Sequence, residues 1–119
     1  MIKVVTSLHR RPGMSTEDFR AYYENHHRLI GEKYLAGYAS RYVRRYLDAA
    51  PGNADAELVC DVLLEIWFED EAAYAACGER LTRPEVAAEI AADEEKLFDR
   101  SRKRSYIVTE YESDLDVGG

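Results

Sequence analysis

The stretch that most limits what this chain can fold into is residues 13–34, GMSTEDFRAYYENHHRLIGEKY, which has the pattern of one amphipathic helix. Ser15 and Asp18 have the spacing of a capping box, and a Pro-Gly pair just before them supplies a turn. We therefore expect the helix to begin near Thr16. The rest of the chain is expected to be arranged around this helix.

Two adjacent histidines lie on this helix. At about 100° per residue, one narrow sector holds aromatic and apolar side chains, and the charged side chains lie opposite. His26 is expected in the middle of that sector, pointing inward, and His27 at its edge, about 80° around from Phe19. Either imidazole could face a pocket and move protons on a carbon next to a carbonyl group. The alternative is a core histidine that is hydrogen-bonded by a tyrosine or a backbone carbonyl.

Four segments have the composition of β-strands. Ile2–Leu8 is apolar on both faces, and residues 40–47 alternate so that Tyr42, Arg44 and Tyr46 share one face. Residues 58–68 form the most hydrophobic run and are expected to be the central strand. Residues 105–111 are expected to form the last strand.

A broken second helix is expected between the last two strands. Asp70 can cap its first piece, and a capping-box pattern at Thr82 precedes its second piece, PEVAAEIAADEEKLF. Residues 48–57 are rich in turn-forming and small residues, which predicts a loop and a candidate mobile lid.

The predicted order is β-α-β-β-α-β. This is the ferredoxin-like pattern of an α+β protein, with a four-stranded antiparallel sheet and both helices on one face. Since both sheet faces carry apolar residues, we expect a second copy of the chain to cover the other face. Residues 1–112 are expected to form a single domain, and residues 113–119 an acidic C-terminal tail.

Composition excludes several classes of function. With 119 residues, a formal charge of -7 and a pI near 5.0, the chain is a poor partner for nucleic acid. No apolar run has the length of a membrane span, and no secretory signal is evident, so a cytoplasmic protein without a membrane partner is expected. The two cysteines, Cys60 and Cys77, are expected to be reduced.

Several aromatic and acidic side chains are candidates for a pocket. Nine tyrosines stand against three phenylalanines, a bias that suits an apolar ligand with oxygen atoms. Tyr42 is the preferred hydrogen-bond donor. Asp61 and Glu65 could orient a histidine or pair with an arginine, and Trp67 is expected in the core. The three histidines lack metal-ligand spacing, and no phosphate loop, nucleophile elbow or nicotinamide motif occurs, so neither a metal nor a cofactor is expected.

The stretch RRPGMSTEDFRAYYENHH resembles the EthD-like family of dimeric α+β barrel proteins. The resemblance rests on the family pattern of Pro-Gly-hydrophobic-Ser, a Phe, two aromatics and a histidine, here Pro12, Gly13, Met14, Ser15, Phe19, Tyr22, Tyr23 and His27. A weaker resemblance, to muconolactone methylisomerases, matches His26 and Tyr42. Together they imply a homodimer with a pocket between sheet and helices in each subunit, and no single reaction.

The leading hypothesis is a small cofactor-independent enzyme, of the isomerase, cyclase or lyase type, that transfers protons on a hydrophobic oxygenated compound of aromatic or polyketide-like character. His27 or His26 would act as acid or base, with Tyr42 stabilising an oxygen. The side chains expected to bind the substrate are Phe19, Tyr22, Tyr23, Tyr46, Asp61 and Trp67. The alternatives are a non-catalytic ligand-binding accessory protein and an oxygenase that uses haem or no cofactor.

Overall fold

A four-stranded antiparallel sheet forms the base of the fold. The computed structural model describes residues 1–116. The strands are β1 (Ile2–Leu8), β2 (Arg41–Tyr46), β3 (Val62–Phe68) and β4 (Arg104–Ile107), in the order β2-β3-β1-β4. Each neighbouring pair is antiparallel. The α+β ferredoxin-like fold predicted from the sequence is confirmed.

The predicted first helix is continuous but not uniform. It runs through α1 (Thr16–Tyr22), a π-helical turn (Tyr23–His27) and α2 (Arg28–Leu35). The Ser15 hydroxyl accepts a hydrogen bond from the backbone N–H of Asp18 at 3.0 Å, which confirms the predicted start. The broken second helix consists of α3 (Glu71–Leu81) and α4 (Pro84–Glu94), and a short 3-10 turn (Arg100–Arg102) precedes β4.

The core lies between the helices and one face of the sheet. Because side chains alternate along each strand, every second one lies on this face of the sheet. These side chains pack against the first helix and the segment after α4. The members of the main cluster are Leu8, Phe19, Tyr23, Val62, Leu64, Leu97 and Phe98. Within residues 1–116, no helix combines the length and apolar character that crossing a membrane requires.

The opposite face of the sheet carries a mixed surface. Trp67 lies there with Lys3 and Arg41 over its ring at 3.9 and 4.3 Å, and its indole N–H donates to Glu65 at 2.5 Å. Arg44 points the other way, toward the helices, as the alternation of β2 predicts. No helix covers this outer face within the described part of the chain.

The start of β3 and the cap of α4 differ from the prediction, although α4 begins at Pro84 as expected. β3 begins at Val62 rather than at residue 58, because the Asp61 carboxylate accepts hydrogen bonds from the backbone N–H and the guanidinium of Arg10, before the ladder starts. Thr82 does not cap α4. Its hydroxyl donates to the carbonyls of Gly78 and Glu79, so it closes α3 instead.

The last strand is shorter than predicted. β4 ends at Ile107, and the next backbone contact is the N–H of Val108 donating to the carbonyl of Lys3. In the predicted acidic tail, residues 117–119 lie outside the described residues.

Candidate functional site

Only one of the two adjacent histidines points into the protein. His27 is 7% exposed, whereas His26 is exposed and stacks on Tyr22 with 4.9 Å between ring centroids. The prediction that His26 points inward was therefore wrong. The π-helical turn explains the difference, because a turn closed by i→i+5 bonds holds more residues than an α-helical turn. The inward face thus passes from Phe19 through Tyr23 to His27.

An aspartate from α4 holds His27 in place. The Nδ1 atom of His27 lies 2.7 Å from Oδ2 of Asp93, and both side chains are about one-tenth exposed. The Tyr22 hydroxyl donates to Oδ1 of the same carboxylate at 2.5 Å. Because an ionised carboxylate only accepts, Nδ1 carries a proton in this arrangement, so in the neutral imidazole the lone pair is at Nε2. The Nε2 atom has no hydrogen-bond partner within residues 1–116.

The surrounding groups favour the ionised form of Asp93. Burial alone would raise the pKa of this carboxyl, but the hydrogen bonds from Tyr22 and His27 bring it below the usual value. Burial and the nearby Asp93 carboxylate raise the pKa of Tyr22 to about 12. At neutral pH the group is therefore a neutral phenol and an anionic carboxylate.

Aromatic rings fix the plane of the His27 imidazole. Tyr23 and Phe98 both meet it edge to face, with ring centroids 5.1 and 5.3 Å from that of His27. Phe98 follows α4 and is 4% exposed, so it also belongs to the core. A ring held on two sides and at Nδ1 has little freedom to turn.

A pair of tyrosines lies beside His27. The hydroxyls of Tyr23 and Tyr42 are 2.6 Å apart, which joins the first helix to β2. Burial raises the pKa of Tyr42 to about 12, although Tyr23 and Arg44 act in the opposite direction. The Tyr42 ring lies against Gly31, where an added Cβ would come within 2.9 Å of it. Burial also raises the pKa of Tyr23, so both phenols keep their protons at neutral pH, and Gly31 makes room for the Tyr42 ring.

Behind the tyrosines is a charged cluster. Arg44 donates two hydrogen bonds of 2.9 Å to the Glu24 carboxylate, which also accepts from the Tyr46 hydroxyl at 2.7 Å. The hydrogen bonds from Arg44 lower the pKa of Glu24. This cluster ties β2 to the π-helical turn and so supports the placement of Tyr23 and His27.

A cleft opens between the sheet and the helices. Its first cavity, of about 100 Å³, is lined by His27, Tyr23 and Tyr42 together with apolar residues such as Leu64 and Phe98. A second cavity of about 230 Å³ shares five lining residues with the first, so the two are parts of one cleft. The wall is mainly apolar, which suits a hydrophobic small molecule.

The comparisons with known proteins give the family. The family model of the EthD domain matches residues 11–101. This chain belongs to the EthD family. No curated protein gives a significant match to this EthD-family chain.

Solved structures show the same fold at low sequence identity. A protein of the ethyl tert-butyl ether D (EthD) family from Bacillus halodurans is 17% identical, with a TM-score of 0.64 over 93% of this chain and 100% of that one. A NIPSNAP domain protein from Burkholderia xenovorans is 17% identical, with a TM-score of 0.60 over 98% and 100%. A dabb family protein with a ferredoxin-like fold from Mesorhizobium loti is 12% identical, with a TM-score of 0.55 over 93% and 97%.

The structure of this EthD-family protein brings together some of the residues that the sequence analysis selected. His27, Tyr23 and Tyr42 line the first cavity, and Tyr22 supports it through Asp93. Phe19 and Tyr46 pack behind it, with their rings 6.3 Å apart.

Three selected residues lie elsewhere. His26 is exposed, Asp61 is bound to Arg10 at the rim of the sheet, and Trp67 lies on the outer sheet face. None of the three lines either cavity of the cleft.

Asp93 is the site residue that the sequence analysis missed. The signal was present, since Val86, Ile90, Asp93 and Leu97 recur with helical spacing, and an aspartate among apolar residues on a buried face needs a partner. The partner itself is 66 residues away and could not be named from spacing.

Cys77 lines the second cavity of the cleft, whereas Cys60 lines neither cavity. Cys60 and Cys77 are unpaired and buried, and burial raises the pKa of both thiols. Among residues 1–116, no group of three or more His, Cys, Asp or Glu side chains is placed to hold a metal ion.

Proposed function

We propose that this protein is a cofactor-independent enzyme that transfers protons on a hydrophobic oxygenated small molecule, with His27 as the acid and base. One observation carries the proposal. Asp93 holds Nδ1 of His27 at 2.7 Å, which leaves Nε2 free on a side chain that lines an apolar cavity. An imidazole oriented by a buried carboxylate is a recurrent arrangement for a general base.

The reaction would start at a carbon next to a carbonyl group. Nε2 of His27 takes the proton, and the electron pair of the C–H bond moves to the carbonyl oxygen to form an enolate. The new positive charge on the imidazole is stabilised by the Asp93 carboxylate. Return of the proton to another carbon gives isomerisation, attack of the enolate on a second carbonyl gives cyclisation, and departure of a leaving group gives elimination.

The tyrosine pair would stabilise the negative charge on the enolate oxygen. Tyr42 remains a neutral phenol because its pKa is raised to about 12, so it can donate to an enolate. Tyr23 is hydrogen-bonded to Tyr42 and contacts the His27 ring. The proposed base, His27, and the proposed donor, Tyr42, therefore both lie next to Tyr23. This supports the role of Tyr42 as the oxygen-stabilising donor.

A test needs no natural substrate. The probe is 5-nitrobenzisoxazole, a flat carbon acid that opens to a coloured phenolate when a base removes its ring proton. We expect the wild-type protein to accelerate this opening and His27→Ala to lower kcat/KM by about a hundredfold or more. His9→Ala is the matched control, since His9 lies outside the cleft lining.

Three outcomes would contradict the proposal. Equal rates for wild type and His27→Ala would show that Nε2 is not an available base. Loss of activity in His26→Ala but not in His27→Ala would assign the chemistry to the other histidine. Binding of the probe without turnover would favour a ligand-binding accessory protein.

We also propose that the protein is a homodimer joined through the outer sheet face. In support, the helices lie on one face only, and the other face presents Val5, Val43 and Leu63 with Tyr106, which is 59% exposed. Light scattering should give about twice 13.6 kDa. Tyr106→Asp should weaken the dimer, whereas Leu29→Asp, at a 53% exposed helix position, should not. A monomeric wild type would contradict this assembly.

A further inference from the structure

The cleft has a charged end that the proposed mechanism does not use. Lys103 lines both cavities, and its ammonium donates to the Glu94 carboxylate at 3.0 Å. The Glu94 side chain is 6% exposed, and Arg100 also approaches it, with Nε at 3.8 Å. Since an ammonium has three donors and this bond uses one, Lys103 is held in place with donors to spare.

The second cavity is the part of the cleft that suits an anion. Lys103 is the one charged side chain among the described residues that line it, and no carboxylate does so. Thr6 and Ser105 also line it, with their hydroxyls 2.8 Å apart. In such a pair one hydroxyl donates to the other, so one proton remains for a ligand. The rest of the wall is mainly apolar, including Leu64 and Ile66, which it shares with the His27 cavity.

We infer that the substrate is a small aromatic or alicyclic carboxylic acid. Its carboxylate binds Lys103 and the free hydroxyl proton of the Thr6–Ser105 pair, while its apolar body lies along Leu64 and Ile66 toward His27. One ammonium and one hydroxyl donor match a carboxylate of single charge. The inference rests on the proposed function only for the reacting end of the molecule, because binding at Lys103 requires no turnover.

Calorimetry with a matched pair of ligands tests this. The ligands are 2-naphthoate and its neutral isostere 2-naphthamide. We expect the wild-type protein to bind the carboxylate about tenfold or more tightly than the amide, because a hydrogen bond to a charged group is stronger than one to a neutral group. Lys103→Met should remove that preference, and Ser105→Ala should reduce it. Arg102→Met is the control, since it removes an exposed cation that lines neither cavity.

The preference for the carboxylate can still be tested if Lys103→Met does not fold. If Lys103→Met fails to fold because Glu94 loses its partner, the double variant Glu94→Gln/Lys103→Met removes both charges together and should also lose the preference. Equal binding of the two ligands by wild type, no binding of either ligand, or an unchanged preference without Lys103 would each overturn the inference. His27→Ala should keep the preference, so failure of the proposed catalysis and failure of this binding site are read out separately.

Discussion

Replacing Asp93 by asparagine is the sharpest test of the site. The change keeps the shape of the side chain but removes the charge that faces Nδ1 of His27 at 2.7 Å. An amide can also donate through its nitrogen, so it no longer selects the tautomer with a free Nε2 lone pair. Both effects act when His27 takes up a proton, because the imidazolium then faces a neutral partner.

The size of the effect follows from this geometry. Two unit charges 2.7 Å apart, at the effective dielectric constant of about 20 that suits partly buried pairs, attract by about 6 kcal/mol. A neutral hydrogen bond retains roughly half of the strength of a charge-assisted one, which leaves a loss of about 3 kcal/mol. By transition-state arithmetic this lowers kcat/KM by roughly a hundredfold.

The assay is the opening of 5-nitrobenzisoxazole, with circular dichroism to show that the variant is folded. Asp70→Asn is the matched control. Asp70 caps α3 through the backbone N–H of Ala73, and asparagine caps a helix about as well as aspartate, so activity and stability should hold. If folded Asp93→Asn kept activity within about threefold of wild type, the carboxylate would not support a charge on His27, and this account of the site would fail.

Three further outcomes are expected. Gly31→Ala should lower the free energy of unfolding in urea by about 1–3 kcal/mol, because the added Cβ would come within 2.9 Å of the Tyr42 ring. Gly78→Ala, where an added Cβ has no atom within 4 Å, is the control and should not destabilise the fold. Equal effects of the two variants would contradict the close packing at Gly31. The pKa of Asp93 is lowered by folding, so its contribution to stability is present above the ordinary value of 3.8 and is lost as the pH falls through the folded value. Urea titrations of wild type and Asp93→Asn should therefore differ at pH 7, and the difference should shrink as the pH falls below 3.8 and through the folded pKa of Asp93. Tyr22→Phe removes one donor to that carboxylate and should raise the pKa of Asp93 in a carboxyl-carbon NMR titration; an unchanged pKa would exclude the hydrogen bond.

Local patterns in the sequence determined much of the fold. The cap at Ser15 set the start of the first helix, because a side-chain oxygen two or three residues before an unpaired N–H is a local interaction. Alternation along β2 was enough to send Arg44 toward the helices and Arg41 and Arg45 to the other face. The order of strands and helices then left few topologies open.

Local patterns failed where a second partner competes for the same side chain. Thr82, expected to cap α4, instead donates its hydroxyl to the carbonyls of Gly78 and Glu79, which lie three and four residues back at the end of α3. The expected strand start at residue 58 moved to Val62, because the Asp61 carboxylate binds Arg10, which follows the neighbouring strand β1 at the same edge of the sheet.

The two histidines also show which features the sequence determines and which depend on the tertiary structure. The sequence determined that the first helix carries an aromatic face and a histidine pair at a position suited to a pocket. Only the tertiary structure decided that His27 is the one inside, because the π-helical turn shifts the inward face by one residue. It also supplied Asp93, from 66 residues along the chain, to orient that histidine. A helical period describes a uniform helix in isolation, whereas the π-helical turn departs from that period, and the carboxylate reaches His27 only when α4 packs against the first helix.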